Sequence, residues 1–172
     1  MRKSILVLVL SLLLLLTFGL SIQAQSREVS ESGVTFYYVT SKLLPLGEGV
    51  LRHDYEANGV TVNDTGEGLF HNASVRVLGG MTIEKGIYKD ELGWGVWTLQ
   101  NGDKVFYKYS WEGVIKPKGV GVGKGTVTFV NGTGTCSGIK GSFEMTRYCP
   151  WTPTTQGVGM CYSKGKITYT LP

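Results

Sequence analysis

Two strand-like runs joined by a glycine-rich corner constrain the fold more than any other part of the chain. The run Gly125–Val130 is rich in β-branched residues and ends at an Asn-Gly turn signal, and a second alternating run covers Ser142–Tyr148. Between them lie Gly132-Thr-Gly134 and Gly138-Ile-Lys-Gly141, with four glycines in ten residues. Glycine at this density indicates positive φ angles or close backbone contacts. The stretch therefore predicts a strand, a compact corner and a second strand.

Most of the remaining chain consists of strand-like runs separated by turn residues. No segment after residue 24 has a sustained 3.6-residue period, so helices should be few and short. In chain order the further runs are Val34–Thr40, Val50–Ala57, Val60–Asn63, His71–Leu78, Met81–Tyr88, Trp94–Gln100, Asp103–Glu112 and Val120–Val130. About eight to ten strands in sequential hairpins predict an all-β fold. The expected form is a closed antiparallel up-and-down β-barrel of about eight strands, with a β-sandwich as the alternative.

Local signals divide the first half of the chain into expected strands and connections. Asn58-Gly59 predicts a two-residue type I′ hairpin turn between the runs on either side of it. Gly79-Gly80 predicts a break between two strands, and Leu43–Gly49 predicts a loop. The polar residues 25–33 are expected to fray.

The hairpin at Asn101-Gly102 carries a face rich in aromatic residues. A two-residue turn would pair Gln100 with Asp103, and period-2 alternation then defines two faces. The first face is nearly all rings and β-branched side chains, so we assign it to the interior: Trp94, Val96, Thr98, Val105, Tyr107, Tyr109 and Trp111. The other face is assigned to the exterior: Trp97, Leu99, Lys104, Phe106, Lys108, Ser110 and Glu112.

Glycines 121, 123 and 125 fall on one face of the run Val120–Val130. Such a stripe lets a strand bend and lets large rings of a neighbouring strand lie over its backbone. We expect the neighbour to be the aromatic strand, and the interior between them to be either a ligand cavity or a dry packed core. For a cavity, the predicted ligand-binding residues are Trp94, Tyr107, Tyr109, Trp111, Gly121 and Gly123.

Three cysteines fall late in the chain, and two of them predict a disulfide. A bond between Cys149 and Cys161 makes residues equidistant from the two cysteines pair across a hairpin. That register brings apolar side chains and opposite charges together: Phe143 with Ile167, Glu144 with Lys166, and Tyr148 with Tyr162. Cys136, inside the glycine corner, is left over. We expect it to be a small buried apolar side chain, with a reactive thiol as the alternative.

The N-terminal segment predicts export. Two basic residues, an apolar run and then small residues make Met1–Ala24 typical of a secretory signal peptide. Cleavage would follow Ser21 or Ala24, and an uncleaved anchor is the alternative, although the apolar run is shorter than the ~20 residues of a bilayer span. We therefore expect residues 25–172 to form a single secreted or periplasmic domain that makes no membrane contact after cleavage. The late cysteines suit such a compartment.

Charge and motifs argue against several classes of function. The formal charge is +4, and the basic residues are scattered, so we expect no nucleic-acid partner. The chain has no GxSxG motif, no P-loop and no GxGxxG before a helix. His53 and His71 are weak metal candidates: alternation places His53 on one face with Tyr55, and Asp54 on the other, so hydrogen-bonded or solvated histidines are the preferred interpretation. We predict no metal, no cofactor and no catalytic residue.

The corner also carries a family resemblance. Gly125-Thr-Val-Thr-Phe-Val-Asn-Gly-Thr-Gly134 followed by Gly138-Ile-Lys-Gly141 resembles a signature of allene oxide cyclase and dirigent-like β-barrels and their exported bacterial relatives. Asn101-Gly-Asp-Lys-Val-Phe106 resembles a hairpin of the same relatives, so the likeness covers about Gly95–Tyr148. Asn131 stands where the pattern has glycine, and Cys136 where it has phenylalanine. The resemblance implies an eight-stranded barrel with a central cavity, in families that bind or steer apolar small molecules and often form trimers.

These observations lead to three functional hypotheses. The first is an exported barrel that binds a small apolar or aromatic ligand. The second is a cofactor-free isomerase or cyclase, which would need an ionisable group inside the barrel, such as Lys108 or Glu112 if either turned inward. The third is a structural protein that associates with copies of itself, for instance as a trimer, through an outer face containing Trp97 and Phe106.

Overall fold

Eight antiparallel strands close into one barrel. The computed structural model of the protein describes residues 27–117, 119–150 and 157–172. Each strand pairs with its neighbours in the chain, and the last strand pairs with the first. In chain order the strands are β1 (Glu28–Gly47), β2 (Val50–Asn63), β3 (Ala73–Glu84), β4 (Ile87–Thr98), β5 (Lys104–Lys116), β6 (Val120–Gly132), β7 (Ser142–Pro150) and β8 (Gly157–Thr170). The predicted up-and-down barrel is therefore confirmed, and the sandwich alternative is wrong.

The predicted leader Met1–Ala24 and its cleavage site lie outside the described residues. Within the part of the chain that the structure describes, the only helical element is one 3₁₀ turn, Gly134–Cys136. No helix there is long and apolar enough to cross a bilayer.

The first strand is longer than the predicted run Val34–Thr40. It covers 20 residues and pairs with β8 along its first part and with β2 along its second part. The expected fraying is therefore wrong from Glu28 onward, and the expected loop at Leu43–Gly49 shrinks to Glu48 and Gly49. Both errors have the same cause: polar or proline-containing segments that look irregular alone acquire backbone partners when the barrel closes.

The predicted hairpin at Asn58-Gly59 is wrong, because both residues lie inside β2. Asn58 pairs with Tyr38 of β1 on one side and with Arg76 of β3 on the other. A Cβ atom on Gly59 would lie 1.8 Å from the carbonyl oxygen of Phe36. Glycine is thus required here by the close approach of β1, and the two ladders outweigh the local turn preference of the dipeptide.

The predicted break at Gly79-Gly80 is also wrong, since β3 continues through it. The turn comes later, at Lys85 and Gly86, whose φ angles of 50° and 80° fit a type I′ turn. Gly79 instead leaves space inside the barrel: a Cβ atom there would lie 2.0 Å from the hydroxyl oxygen of Tyr109.

The hairpin at Asn101-Gly102 is where it was predicted, but its register differs by one residue. The Leu99 N–H donates to the Asp103 carbonyl over 2.8 Å, so the loop has three residues rather than two. The one-residue change turns every β4 side chain to the other face. Trp97 and Leu99 are buried, whereas Trp94 is exposed and Val96 and Thr98 lose their predicted inward place. On β5 the prediction is confirmed: Val105, Tyr107, Tyr109 and Trp111 are buried.

One end of the barrel, which we call the plugged end, is closed by the connection between β2 and β3. Phe70 of this connection is fully buried and packs against the rings of Trp97 and Phe129. The Glu31 carboxylate fixes the connection by accepting hydrogen bonds from the Leu69 and Phe70 N–H groups at 2.8 and 3.1 Å. The glycine-rich corner lies at the same end, because it also follows an even-numbered strand.

The glycine-rich corner has the predicted conformation. Gly134 and Gly138 have φ angles of 54° and 79°, which glycine adopts without strain. Cys136 lies between them and is fully buried, as expected for a small apolar side chain. The corner joins β6 to β7, and the expected pairing of β6 with the aromatic strand β5 is confirmed.

The last hairpin is the most accurate part of the prediction. Cys149 and Cys161 form a disulfide with their Cα atoms 4.3 Å apart. Tyr148 pairs with Tyr162, in the register that the cysteines imply. Disulfides of this kind are typical of proteins that mature in an oxidising compartment.

Candidate functional site

The interior rings lie flat against glycines of neighbouring strands. Gly95 of β4 pairs with Tyr107 of β5, and a Cβ atom on Gly95 would lie 2.1 Å from the Cζ atom of that ring. The Tyr109 hydroxyl covers Gly93 in the same way, and Trp111 covers Gly125 of β6, where a Cβ atom would lie 2.3 Å from the Cδ2 atom of the ring. Because these glycines have no side chains, the rings can lie directly against the barrel wall, and they do not fill the axis of the barrel.

The space left on the axis is a cavity of about 70 Å³. It reaches from Trp97 toward the end of the barrel opposite the plug, and its walls are mostly apolar. The lining residues come from all eight strands: Tyr37, Val39, Ser41, His53, Tyr55, Ala57, Val77, Met81, Trp97, Tyr107, Tyr109, Trp111, Val127, Met145, Arg147, Cys149, Gly159, Met160, Cys161 and Ser163. The sequence allowed either a ligand cavity or a dry packed core, and the structure contains a cavity.

The structure places only some of the predicted ligand-binding residues in the cavity wall. Tyr107, Tyr109 and Trp111 line the cavity. Trp94 does not, because it points outward with 60% of its surface exposed, and its predicted inward place is wrong for the register reason given above. Gly121 and Gly123 face the interior but do not line the cavity; a Cβ atom on Gly123 would lie 2.3 Å from the Tyr88 hydroxyl oxygen. The glycine stripe therefore receives a ring of the aromatic strand at Gly125, as expected, whereas the ring over Gly123 is Tyr88 of β4.

A buried ion pair, Glu91 with Arg147, lies beside the cavity. Glu91 has no exposed surface, and both terminal nitrogens of Arg147 donate to its carboxylate, one of them over 2.6 Å. The Tyr55 hydroxyl donates to the same carboxylate. Tyr109 lies 2.8 Å from that hydroxyl, and the Arg147 guanidinium stacks 4.7 Å from the ring centre of Trp111. The pair is bidentate and enclosed, so its two charges neutralise each other.

Sequence reasoning missed both members of this pair. Glu91 turns inward because β4 has a bulge at residues 89 and 90, between Tyr88 and Glu91, which inverts the alternation. Nothing in the sequence marks that bulge. Arg147 did carry a signal, since it falls on the same face as the buried residues Phe143 and Met145 in strict alternation. A basic residue at the third position of an apolar face predicts a buried partner of opposite charge.

The electrostatics of the site keep its members in fixed protonation states. Burial is the largest single influence and opposes the charge on Arg147, but Glu91, Tyr55 and Tyr88 together outweigh it and hold the pKa of the guanidinium well above its usual value. Burial and then the Glu91 charge raise the pKa of Tyr55 well above its usual range. Burial lowers the pKa of His53 to about 4, against the opposing effect of Glu91. At neutral pH the site therefore holds one internal ion pair, neutral phenols and a neutral imidazole.

These states decide what chemistry the arrangement can perform. Glu91 already accepts hydrogen bonds from Arg147 and Tyr55, so its oxygens are engaged. A neutral imidazole with a pKa of about 4 is a weak base at pH 7, where a general base works best with a pKa near the working pH. Lys108 and Glu112 are exposed on the outer surface, as the sequence analysis placed them. The arrangement is better suited to holding a molecule than to removing a proton from one.

The two histidines lie in different places. His53 is buried on β2 with its ring 5.4 Å from that of Tyr55, which confirms that these residues share a face. His71 lies in the connection at the plugged end, where its Nδ1 atom accepts a hydrogen bond from the Asn63 N–H at 3.2 Å. Among residues 27–117, 119–150 and 157–172 there is no group of three metal-ligating side chains.

The fold and the site together define a class: a closed eight-stranded antiparallel barrel with an aromatic, internally neutral cavity. Comparison with protein-family models, with curated proteins and with solved structures finds no match to the chain. The function must therefore be argued from the site itself.

Proposed function

We propose that the protein is a binding module that holds a small, uncharged and largely apolar molecule in the barrel cavity. The observation that carries this proposal is the way Tyr107, Tyr109 and Trp111 lie flat on glycine backbone and leave the axis free. A chain selected only for a packed core would gain stability by filling that space, because unfilled volume costs packing energy. Aromatic walls with a few polar groups are typical of small-molecule sites.

The charge of the site supports an uncharged ligand. Glu91 and Arg147 neutralise each other, and each engages the other through two hydrogen bonds. A ligand carboxylate or ammonium would enter without a counter-charge or would have to displace one partner, and either change leaves a buried charge unpaired. A neutral molecule with a flat apolar body avoids this cost.

A pair of naphthylamine dyes tests the proposal. N-phenyl-1-naphthylamine is neutral, whereas 8-anilino-1-naphthalenesulfonate has a similar ring system and one negative charge. We expect the folded protein to bind the neutral dye, and the bound dye to quench the tryptophan emission of the protein. The anionic dye should bind at least about tenfold more weakly, a difference of about 1.4 kcal/mol in binding free energy.

Two variants locate the dye. Ala57 is buried and lines the cavity, so Ala57→Leu places extra side-chain volume there and should weaken binding of the neutral dye. Trp94→Phe changes an exposed ring outside the barrel and should leave binding unchanged. Absence of binding by the neutral dye, or equal binding by wild type and Ala57→Leu, would refute the proposal.

A cofactor-free isomerase is the second candidate, favoured by the ionisable groups that the interior does contain. Tyr55 lines the cavity as a neutral phenol whose O–H donates to Glu91, so it would act as a general acid only when a bound substrate replaced Glu91 as the acceptor of that proton. The test is turnover of a reactive conjugated ketone or epoxide by the wild type and by Tyr55→Phe. Equal conversion by the two proteins would remove this candidate.

The family, the location and the assembly remain proposals as well. Kinship with allene oxide cyclase and dirigent-like barrels is supported by the eight-stranded closed barrel and by the corner that carries the resemblance. Export is supported by the disulfide. Self-association is supported by the exposed rings of Trp94 and Phe106, while Trp97 is buried and cannot contribute as first expected. Light scattering after size exclusion distinguishes a monomer from a trimer.

A further inference from the structure

We propose that the cavity selects ligands bearing an uncharged hydrogen-bond-accepting oxygen, such as a ketone or an ester, and that the Tyr107 hydroxyl donates to that oxygen. The inference rests on the proposed binding function and adds the chemical class of the ligand. The observation behind it is a buried hydroxyl group beside the cavity that has no hydrogen-bond partner among the described residues.

Tyr107 is held in the wall with its phenol group inside the barrel. Only 2% of the residue is exposed, its ring lies 4.1 Å from that of Trp97 between centres, and its phenol end covers Gly95. Among the residues that the structure describes, its hydroxyl has no hydrogen-bond partner. Tyr107 lines the cavity, and buried hydroxyls are nearly always hydrogen-bonded, so this hydroxyl points to a partner that the described chain does not supply.

The surrounding polar groups favour an acceptor over a donor. The Nε–H of Arg147 also has no partner in the described parts of the chain, and it can only donate. The Glu91 oxygens already accept from Arg147 and Tyr55. Among the lining residues that the structure describes, the buried polar atoms without a partner thus include a phenol, a guanidinium N–H and the Ser163 hydroxyl, and each of them can donate a hydrogen bond. A ligand with a carbonyl oxygen satisfies them, and a hydrocarbon of the same shape does not.

Tyr107 also differs from the neighbouring tyrosines. Tyr109 bonds to Tyr55, and Tyr55 bonds to Glu91, so both hydroxyls have partners within the protein. Replacing either would break a structural network. Replacing Tyr107 by phenylalanine removes no hydrogen bond that the described structure contains, and it keeps the ring. The variant therefore separates ligand recognition from folding.

The experiment compares two flat neutral ligands, 2-acetylnaphthalene and 2-isopropenylnaphthalene, which differ in a carbonyl oxygen replaced by a methylene carbon. Affinities are measured by tryptophan quenching for the full-length protein and for Tyr107→Phe. We expect the variant to bind the ketone about fivefold more weakly and the alkene equally well, which is the size expected for one neutral hydrogen bond that exchanges with water. The carbonyl stretch of the bound ketone should shift to higher frequency in the variant.

The remaining outcomes distinguish failure of the Tyr107 role from failure of the binding function. Unchanged ketone affinity and frequency in Tyr107→Phe, or equal weakening of both ligands, would refute the role of Tyr107 while leaving the binding function intact. Failure of both ligands to bind the wild type would refute the binding function and this inference with it. A large loss of thermal stability in Tyr107→Phe would show that the hydroxyl has a partner in the folded chain, and would also refute the inference.

Discussion

Removal of the Arg147 guanidinium should destabilise the barrel more than any other single charge deletion on the described strands. Arg147→Met keeps most of the side-chain length but leaves the Glu91 carboxylate fully buried, with the Tyr55 hydroxyl as its remaining donor among the contacts described above. It also removes the cation stacked on Trp111. Breaking a buried pair by removing one partner costs about 3–5 kcal/mol. Since a domain of this size has about 5–15 kcal/mol of stability in total, that is a large fraction.

The double variant Glu91→Gln/Arg147→Met should be much more stable than either single loss implies. With both charges gone, no unpaired charge remains in the interior, and such replacements are often close to neutral. We therefore expect the double variant to lie within about 1–2 kcal/mol of wild type. The two effects are then strongly non-additive, as expected for side chains in direct contact.

Equilibrium urea unfolding, followed by tryptophan fluorescence and far-UV circular dichroism, measures these differences. With a slope of about 2 kcal/mol/M, the Arg147→Met midpoint should fall by about 2 M. The control is Arg76→Met, which removes an exposed partner of Glu56 on the outer surface and should leave the midpoint unchanged. A midpoint for Arg147→Met equal to that of the control, or simple additivity in the double variant, would refute the buried ion pair.

Three further changes test other parts of the structure. The pKa of His53 is about 4 in the folded protein and about 6.5 in an unfolded chain. The neutral imidazole therefore contributes its full stability above pH 6.5, and up to about 3 kcal/mol of stability is lost as the pH falls toward 4. In urea titrations at a series of pH values, His53→Gln should not show this acid-induced loss. Gly95→Ala should push the ring lying over it into the cavity, lowering stability by about 1–3 kcal/mol and weakening binding of the neutral dye. The control for stability is Gly159→Ala, which has no atom within 4 Å of the new Cβ and should leave the unfolding midpoint unchanged. Replacing the Cys149–Cys161 pair by serines should cost about 3 kcal/mol, and a reducing agent should destabilise the wild type but not this variant.

The sequence predicted well wherever a local pattern and its long-range partner lay close together in the chain. The hairpin of β7 and β8 is such a case, because Cys149 and Cys161 fix the register and the side chains between them agree with it. The glycine corner is another, since positive φ angles at Gly134 and Gly138 are local requirements. The inward face of β5 followed from alternation alone.

Prediction failed where pairing with distant strands overrode a local preference. Asn58-Gly59 has the composition of a hairpin turn, but β1 and β3 hold it extended from both sides. The loop at Asn101-Gly102 took three residues instead of two, and this single step exchanged Trp94 for Trp97 in the interior. A loop length that differs by one residue is a small local change, yet it decides the side of every residue on the strand.

By itself, the sequence determined that the chain is built from sequential antiparallel strands, which strand carries the interior rings, and which cysteines bond. Those features depend on alternation, turn chemistry and short separations in the chain. Only the tertiary structure decided that the rings lie on glycines and leave a cavity, and that Glu91 meets Arg147 beside it. The physical reason is that both depend on a bulge and on registers between strands distant in the chain, which no local pattern specifies.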